Sequence, residues 1–114
     1  MSTCIFCDIV AGNIPAEKVY EDDQVLAFKD INPVAPVHIL VIPKKHIPSA
    51  AAVKAEDASL IGHLFTVIPQ VAEKLNVSEK GFRVVNNCGS DGQQTVEHIH
   101  FHLLGGRQLT WPPG

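Results

Sequence analysis

Three histidines alternate with apolar residues in His98-Ile99-His100-Phe101-His102, and Leu103-Leu104 follows. Period two is strand spacing, so the three imidazoles should share one face, with Ile99, Phe101 and Leu103 on the other. Imidazole titrates near neutrality, acts as a nucleophile and binds metals. Polar groups on a strand face that packs inward are costly without a role, so three together point to chemistry rather than filler. A nucleophilic histidine needs one ring nitrogen free and the other donating to a fixed acceptor. His100, with a histidine on either side, is best placed to attack a phosphorus or carbonyl centre. His38 sits in an apolar stretch; alone it would read as a satisfied core residue, but it adds a fourth imidazole to the same sheet.

Cys4 and Cys7 form a second constellation. A Cys-x-x-Cys pair supplies two thiolates to one zinc, which needs two further ligands, and the histidines are the candidates. A thioredoxin-like pair is disfavoured because no strand precedes the motif, and two thiols without metal remain the plain alternative. The loop from Asn87 to Thr95 carries Gly89, Gly92 and several small polar residues. It could offer backbone N–H groups to an anion, or be an ordinary hairpin turn. Cys88 reads as an unpaired small residue, His63 as a surface or helix-packing residue, and Lys44 and Lys45 as solvated loop charges.

The elements that must position these groups are short. Residues 5–11 have helical apolar spacing, stopped by Gly12-Asn13. Residues 19–21 and 24–30 read as a hairpin about Asp22-Asp23. Residues 37–42 are nearly continuously apolar, which predicts a central strand buried on both faces. Residues 55–75 carry a helical stripe of Leu60, Ile61, Leu64, Phe65, Ile68, Val71, Ala72 and Leu75, with Pro69 expected to kink or divide it. Residues 82–87 and 98–104 are two more strands. Strands and helices do not alternate regularly, so an α+β domain with a mostly antiparallel sheet is expected.

The 114 residues suit one domain, with 46% hydrophobic and 18% charged residues. A net charge of −3 gives no sign of a nucleic-acid partner, and no apolar run approaches a membrane span. Met1-Ser2-Thr3 lacks the basic start of a signal peptide, so a cytoplasmic protein is expected.

The run from His98 to Leu104 resembles the signature of the histidine-triad (HIT) superfamily, His-φ-His-φ-His-φ-φ with φ apolar. Tyr20-Glu21-Asp22-Asp23, Leu26-Ala27-Phe28-Lys29-Asp30-Ile31, Ala35-Pro36-Val37-His38, Val41-Ile42-Pro43-Lys44-Lys45-His46 and Gly89-Ser90-Asp91-Gly92 extend the likeness over nearly the whole chain. The Trp111-Pro112-Pro113-Gly114 ending is similar to the Hint branch, the nucleotide-binding phosphoramidases. That resemblance implies a single HIT domain with a sheet of about five strands, a short N-terminal helix and one long helix. It implies a homodimer that hydrolyses purine nucleoside phosphoramidates and acyl- or aminoacyl-adenylates through a nucleotidyl-histidine, releasing AMP or GMP. His100 would be the nucleophile, supported by His38 and His102. Asn87, Gln93 and Thr95 would lie at the phosphate, Asp30 at the ribose, and Phe6, Ile9, Phe28 and Ile31 around the purine.

Two departures stand out. Where the branch has Gly-Gly-Gln-Ser, this chain has Gly92-Gln93-Gln94-Thr95, which places a side chain where backbone should approach phosphate. Cys4 and Cys7 are absent from many members of the branch. Relatives of the galactose-phosphate uridylyltransferases use two such cysteines and two histidines to bind zinc, which implies a structural zinc on Cys4, Cys7, His46 and His98 here. The rival readings are a dinucleoside polyphosphate hydrolase, a nucleotidyltransferase, or a nucleotide-binding scaffold with incidental catalysis.

Overall fold

The computed structural model describes residues 3–114, so the reading of Met1 and Ser2 lies outside the described residues. The elements in order are α1 (Ile5–Val10), β1 (Lys18–Glu21), β2 (Val25–Lys29), β3 (Val37–Pro43), two 3-10 turns (Ala50–Ala52 and Ala55–Asp57), α2 (Ala58–Lys74), β4 (Phe82–Val85) and β5 (Phe101–Gly105). The sheet is five-stranded and antiparallel throughout, in the order β1-β2-β3-β5-β4, so β3 is central as its apolar run predicts. Among the described residues, no helix is long and apolar enough to cross a membrane.

Side-chain parity divides the sheet into two unequal faces. Odd-numbered Val25, Ala27, Ile39, Val41, Ile99, Phe101 and Leu103 pack with Leu64, Val67, Ile68, Val71 and Ala72 of α2. Even-numbered Leu26, Phe28, Leu40 and Ile42 pack under Phe6 and Ile9 of α1. Burying one aliphatic or aromatic side chain contributes roughly 1.5–3 kcal/mol, so the α2 face carries most of the core. The α1 helix is only six residues long and covers part of its face. The four strand and strand-flanking histidines, all even-numbered, therefore emerge on the face with less cover.

Three expectations need correction. The histidine segment is extended as predicted, but its ladder begins only at Phe101, opposite Val41 of β3. β3 ends at Pro43 and turns away, so His98 bonds the Pro43 carbonyl through its ring and Ile99 N–H bonds the Ile47 carbonyl instead. Pro69 neither ends nor divides α2, which runs unbroken through it. Its missing N–H would have served Phe65, and both residues lie on the exposed side of the helix, where water can satisfy the carbonyl. β4 ends at Val85 rather than residue 87.

His63 and the two lysines are also more committed than their composition suggested. Lys44 pairs with Glu21 at 2.8 Å, and Lys45 pairs with Asp57 at 2.6 Å. His63 Nε2 on α2 reaches Asp22 Oδ2 at 2.7 Å, and the same oxygen accepts from Tyr20 Oη at 2.6 Å. Asp22 Oδ1 caps the hairpin turn through the N–H groups of Gln24 and Val25. Desolvation works to raise the Asp22 pKa, but the hydrogen bonds from Tyr20, Gln24, His63 and Val25 outweigh it and hold the carboxyl well below the usual carboxylate range. A depressed folded pKa adds stability above the unfolded value of about 4, and that stability is lost as the pH falls through the folded one. Asp22→Asn should therefore cost about 1–3 kcal/mol in urea unfolding at neutral pH. The deficit relative to wild type should shrink as the pH drops below about 4.

Candidate functional site

Backbone partners settle the tautomer of each histidine, because a carbonyl only accepts and an N–H only donates. His100 Nδ1 lies 2.8 Å from the His98 carbonyl, so Nδ1 carries the proton and Nε2 keeps its lone pair. The Val34 N–H donates to His38 Nδ1 at 3.1 Å, so His38 carries its proton on Nε2. That proton points at His102 Nδ1, 2.9 Å from His38 Nε2, and Asp30 Oδ2 lies 3.4 Å from His38 Nε2 as well. His102 must then accept at Nδ1 and present an N–H at Nε2. The imidazoles of His100 and His102 lie edge to face with centroids 5.1 Å apart. The result is a free nucleophilic nitrogen beside an imidazole N–H, with the His38–His102 hydrogen bond lying close to the Asp30 carboxylate.

The sheet register brings these groups together. His38 pairs with Leu104 and His102 with Leu40, so the two histidines are diagonal neighbours on one face. Asp30 follows β2, where its N–H continues the ladder to the His38 carbonyl. Burial lowers the His38 pKa, partly offset by Asp30. His102 falls to about 4, chiefly from burial, then from the nearby His100 and His38, against Asp30. Both rings are therefore neutral at pH 7 without substrate, and phosphate bound alongside would favour their charged forms.

Phe6 of α1 closes this pocket. Its ring meets His100 at 5.1 Å, Phe28 at 5.6 Å and His98 at 5.9 Å between centroids. Phe6, Ile9 and Phe28 are buried, as an apolar wall requires, whereas Ile31 is 91% exposed. Asn87 is half-buried in the loop after β4, with Gln93 and Thr95 exposed further along. Asn86 escaped sequence reasoning; its Nδ2 donates to the His100 carbonyl at 2.9 Å and so fixes the His100 backbone. The only signal was the Asn86-Asn87 pair at a strand end, which does not say which residue turns inward.

A second cluster lies beside the first. Cys4 Sγ, Cys7 Sγ, His46 Nδ1 and His98 Nδ1 lie within 4.8 Å of one another. His98 donates Nε2–H to the Pro43 carbonyl at 2.8 Å, which leaves its Nδ1 lone pair facing the cluster. The separations are 3.2 Å between the two nitrogens and 3.3, 3.4 and 3.5 Å for three sulfur–nitrogen pairs. A tetrahedral zinc with bonds of about 2.3 Å to sulfur and about 2.05 Å to nitrogen has edges of about 3.6 Å and about 3.3 Å. Donor type, tautomer and spacing all fit such an ion.

The loop between β4 and the histidines keeps the backbone of a glycine-rich turn despite its altered sequence. Gln93 has φ +62°, in the left-handed region. A Cβ on Gly92 would come within 2.6 Å of the Cys88 carbonyl oxygen, so that position admits only glycine. Gln94 ties the loop down, accepting from Gly89 N–H and donating to the carbonyls of Pro48 and Val96. An L-residue in the left-handed region costs roughly 1–2 kcal/mol, part of which glycine loses again through unfolded-state entropy. Gln93→Gly should therefore stabilise the protein by up to about 1 kcal/mol in urea unfolding. Gly92→Ala should destabilise it by about 1–3 kcal/mol in the same measurement.

Comparisons with known proteins agree on the relationship. The HIT domain family model matches residues 11–109. An uncharacterised HIT-like protein of Synechocystis is 52% identical over 110 residues, 96% of each chain. The crystal structure of a HIT family hydrolase from Legionella pneumophila is 50% identical with a TM-score of 0.96, covering 98% of this chain and 100% of that one. A histidine triad nucleotide-binding protein from Candida albicans is 31% identical with a TM-score of 0.83, covering 98% of this chain and 85% of that one.

Proposed function

The chain belongs to the HIT family, and from that premise we propose that it is a hydrolase of the Hint branch acting on purine nucleoside phosphoramidates and acyl- or aminoacyl-adenylates. The observation that carries the reading is the His100 tautomer, with Nδ1–H committed to the His98 carbonyl and Nε2 left as a nucleophile. Similarity to a protein named as a HIT family hydrolase and to one named as nucleotide-binding supports the same class.

The chemistry follows from the proton positions. Nε2 of His100 attacks the α-phosphorus in line, and the P–N or P–O bond to the leaving group breaks. Phosphate bound at the site favours the charged form of the His38–His102 pair beside Asp30, and the extra proton that the pair takes from solvent leaves with the departing group. The nucleotidylated imidazole carries a positive charge, and its Nδ1–H remains bonded to a carbonyl dipole that favours that charge. Water then attacks phosphorus, the P–Nε2 bond breaks, and the mononucleotide leaves. Two displacements replace one difficult hydrolysis. The loop around Asn87, Gln93 and Thr95 would hold the phosphate, Asp30 the ribose, and Phe6, Ile9, Phe28 and Ile31 the base.

Cys4, Cys7, His46 and His98 would hold a structural zinc, whose role is to join α1 to the histidine segment. A homodimer fits the edge position of β4, where Phe82 is 37% exposed, and the C-terminal tail, where Trp111 is 79% exposed. A reducing cytoplasm suits the cysteine pair.

Rapid-quench mass spectrometry with an adenosine phosphoramidate should detect an AMP adduct on wild type and none on His100→Ala, whose kcat should fall at least about ten-thousandfold. An adduct surviving in His100→Ala would remove His100 from the role. Faster turnover of a diadenosine polyphosphate than of the phosphoramidate would place the protein in another branch. Atomic-emission analysis of protein purified without chelator should find one zinc per chain, lost in Cys4→Ser.

A further inference from the structure

The four-donor cluster and the nucleophile share one residue. His98 turns its ring Nδ1 toward Cys4 and Cys7, at 3.4 and 3.5 Å, while its carbonyl accepts the Nδ1–H of His100 at 2.8 Å. A second link runs through α1. Cys4 is the cap of this helix, and its sulfur accepts the Cys7 N–H at 3.3 Å. Between the two cysteines stands Phe6, whose ring packs edge-on against the His100 imidazole. The thiols therefore hold both the acceptor that sets the His100 tautomer and the aromatic wall that sets its rotation.

We propose that the Cys4–Cys7–His46–His98 centre positions the nucleophile, and that oxidation of its two thiols to a disulfide releases the metal and slows nucleotidyl transfer. The proposal rests on the reading of His100 as nucleophile. Both cysteines are partly exposed and His46 is exposed, so a small oxidant can reach the cluster. The two sulfurs lie within 4.8 Å of each other, and residues three apart at a helix start have the Cα separation of about 4.4–6.8 Å that a disulfide needs.

With hydrogen peroxide as oxidant the step balances. One thiolate attacks a peroxide oxygen, the O–O bond breaks, and a sulfenic acid and hydroxide form. The second thiolate attacks the sulfenic sulfur, the S–S bond forms, and a second hydroxide leaves. Two protons convert the hydroxides to water, and the thiolates have given two electrons to the peroxide. The ion, left with two nitrogen ligands of four donors, departs. His98 then keeps its ring bond to the Pro43 carbonyl but loses the restraint at Nδ1, and Phe6 loses the fixed helix start that presses it on His100.

The test uses zinc-loaded protein in a Cys88→Ser background, which removes the third thiol. Four readouts follow peroxide treatment: zinc release to a colorimetric chelator, loss of two hydrogens by mass, the rate of AMP-adduct formation, and the ring nitrogen shifts of His100. The expected result is one zinc released per disulfide, adduct formation slowed about tenfold or more, and a His100 ring no longer locked with its proton on Nδ1. Dithiothreitol with zinc should restore all four. Zinc release with unchanged adduct rate and unchanged His100 shifts would overturn the proposal, as would untreated protein that holds no zinc. If untreated protein forms no adduct, the phosphoramidase reading fails, while the His100 shifts still report the coupling. Cys4→Ser should show the slow phenotype without peroxide and no further response to it.

Discussion

The hydrogen bond from His100 Nδ1 to the His98 carbonyl is the constraint from which the site follows. It fixes which nitrogen is free, and it exists only because the two residues are two apart on an extended segment. The segment in turn is held from both sides. Asn86 grips the His100 carbonyl, and Ile47 takes the N–H of Ile99. His98 is completely buried, so its ring cannot seek water as an alternative partner. A histidine on an ordinary loop would spread over several rotamers and tautomers, whereas here one arrangement satisfies every buried side-chain nitrogen and oxygen among the described residues.

The unequal cover of the sheet explains where that nucleophile can work. The long helix α2 covers most of the odd face and supplies most of the core. The short helix α1 seals only part of the even face, leaving His102 partly open beside a Phe6 wall. Function thus occupies the face that the core does not need. Six residues are well below the length at which a helix is stable on its own, and α1 is docked through buried Phe6 and Ile9 with the Cys4 and Cys7 sulfurs beside His98 and His46.

Much of this was legible beforehand. Alternation at residues 98–104 placed the imidazoles on one face, the apolar run at 37–42 placed β3 in the centre, and Gly12, at φ +83°, ended α1 as expected. The pairing of His63 with Asp22, of Lys45 with Asp57, and the grip of Asn86 were not legible. Each joins residues distant in sequence or chooses between adjacent polar residues, and neither spacing nor composition carries that choice. Gln93 is a different case: the sequence marks a side chain where the branch has glycine, and the backbone there is left-handed, at φ +62°.

By itself, the sequence determined the element types, the sharing of faces and the set of residues able to do chemistry, because these depend on local period and side-chain type. The tertiary structure decided the proton positions. Which nitrogen of each histidine is free depends on Pro43, Val34 and the His98 carbonyl, and only folding brings Pro43 to His98 and His38 to His102. The tautomers make four similar imidazoles different: His100 keeps its Nε2 lone pair, His38 donates to His102, and His98 turns Nδ1 toward Cys4 and Cys7. That division of labour arises from backbone groups that carry no side-chain signature, which is why the pattern of residues alone could not express it.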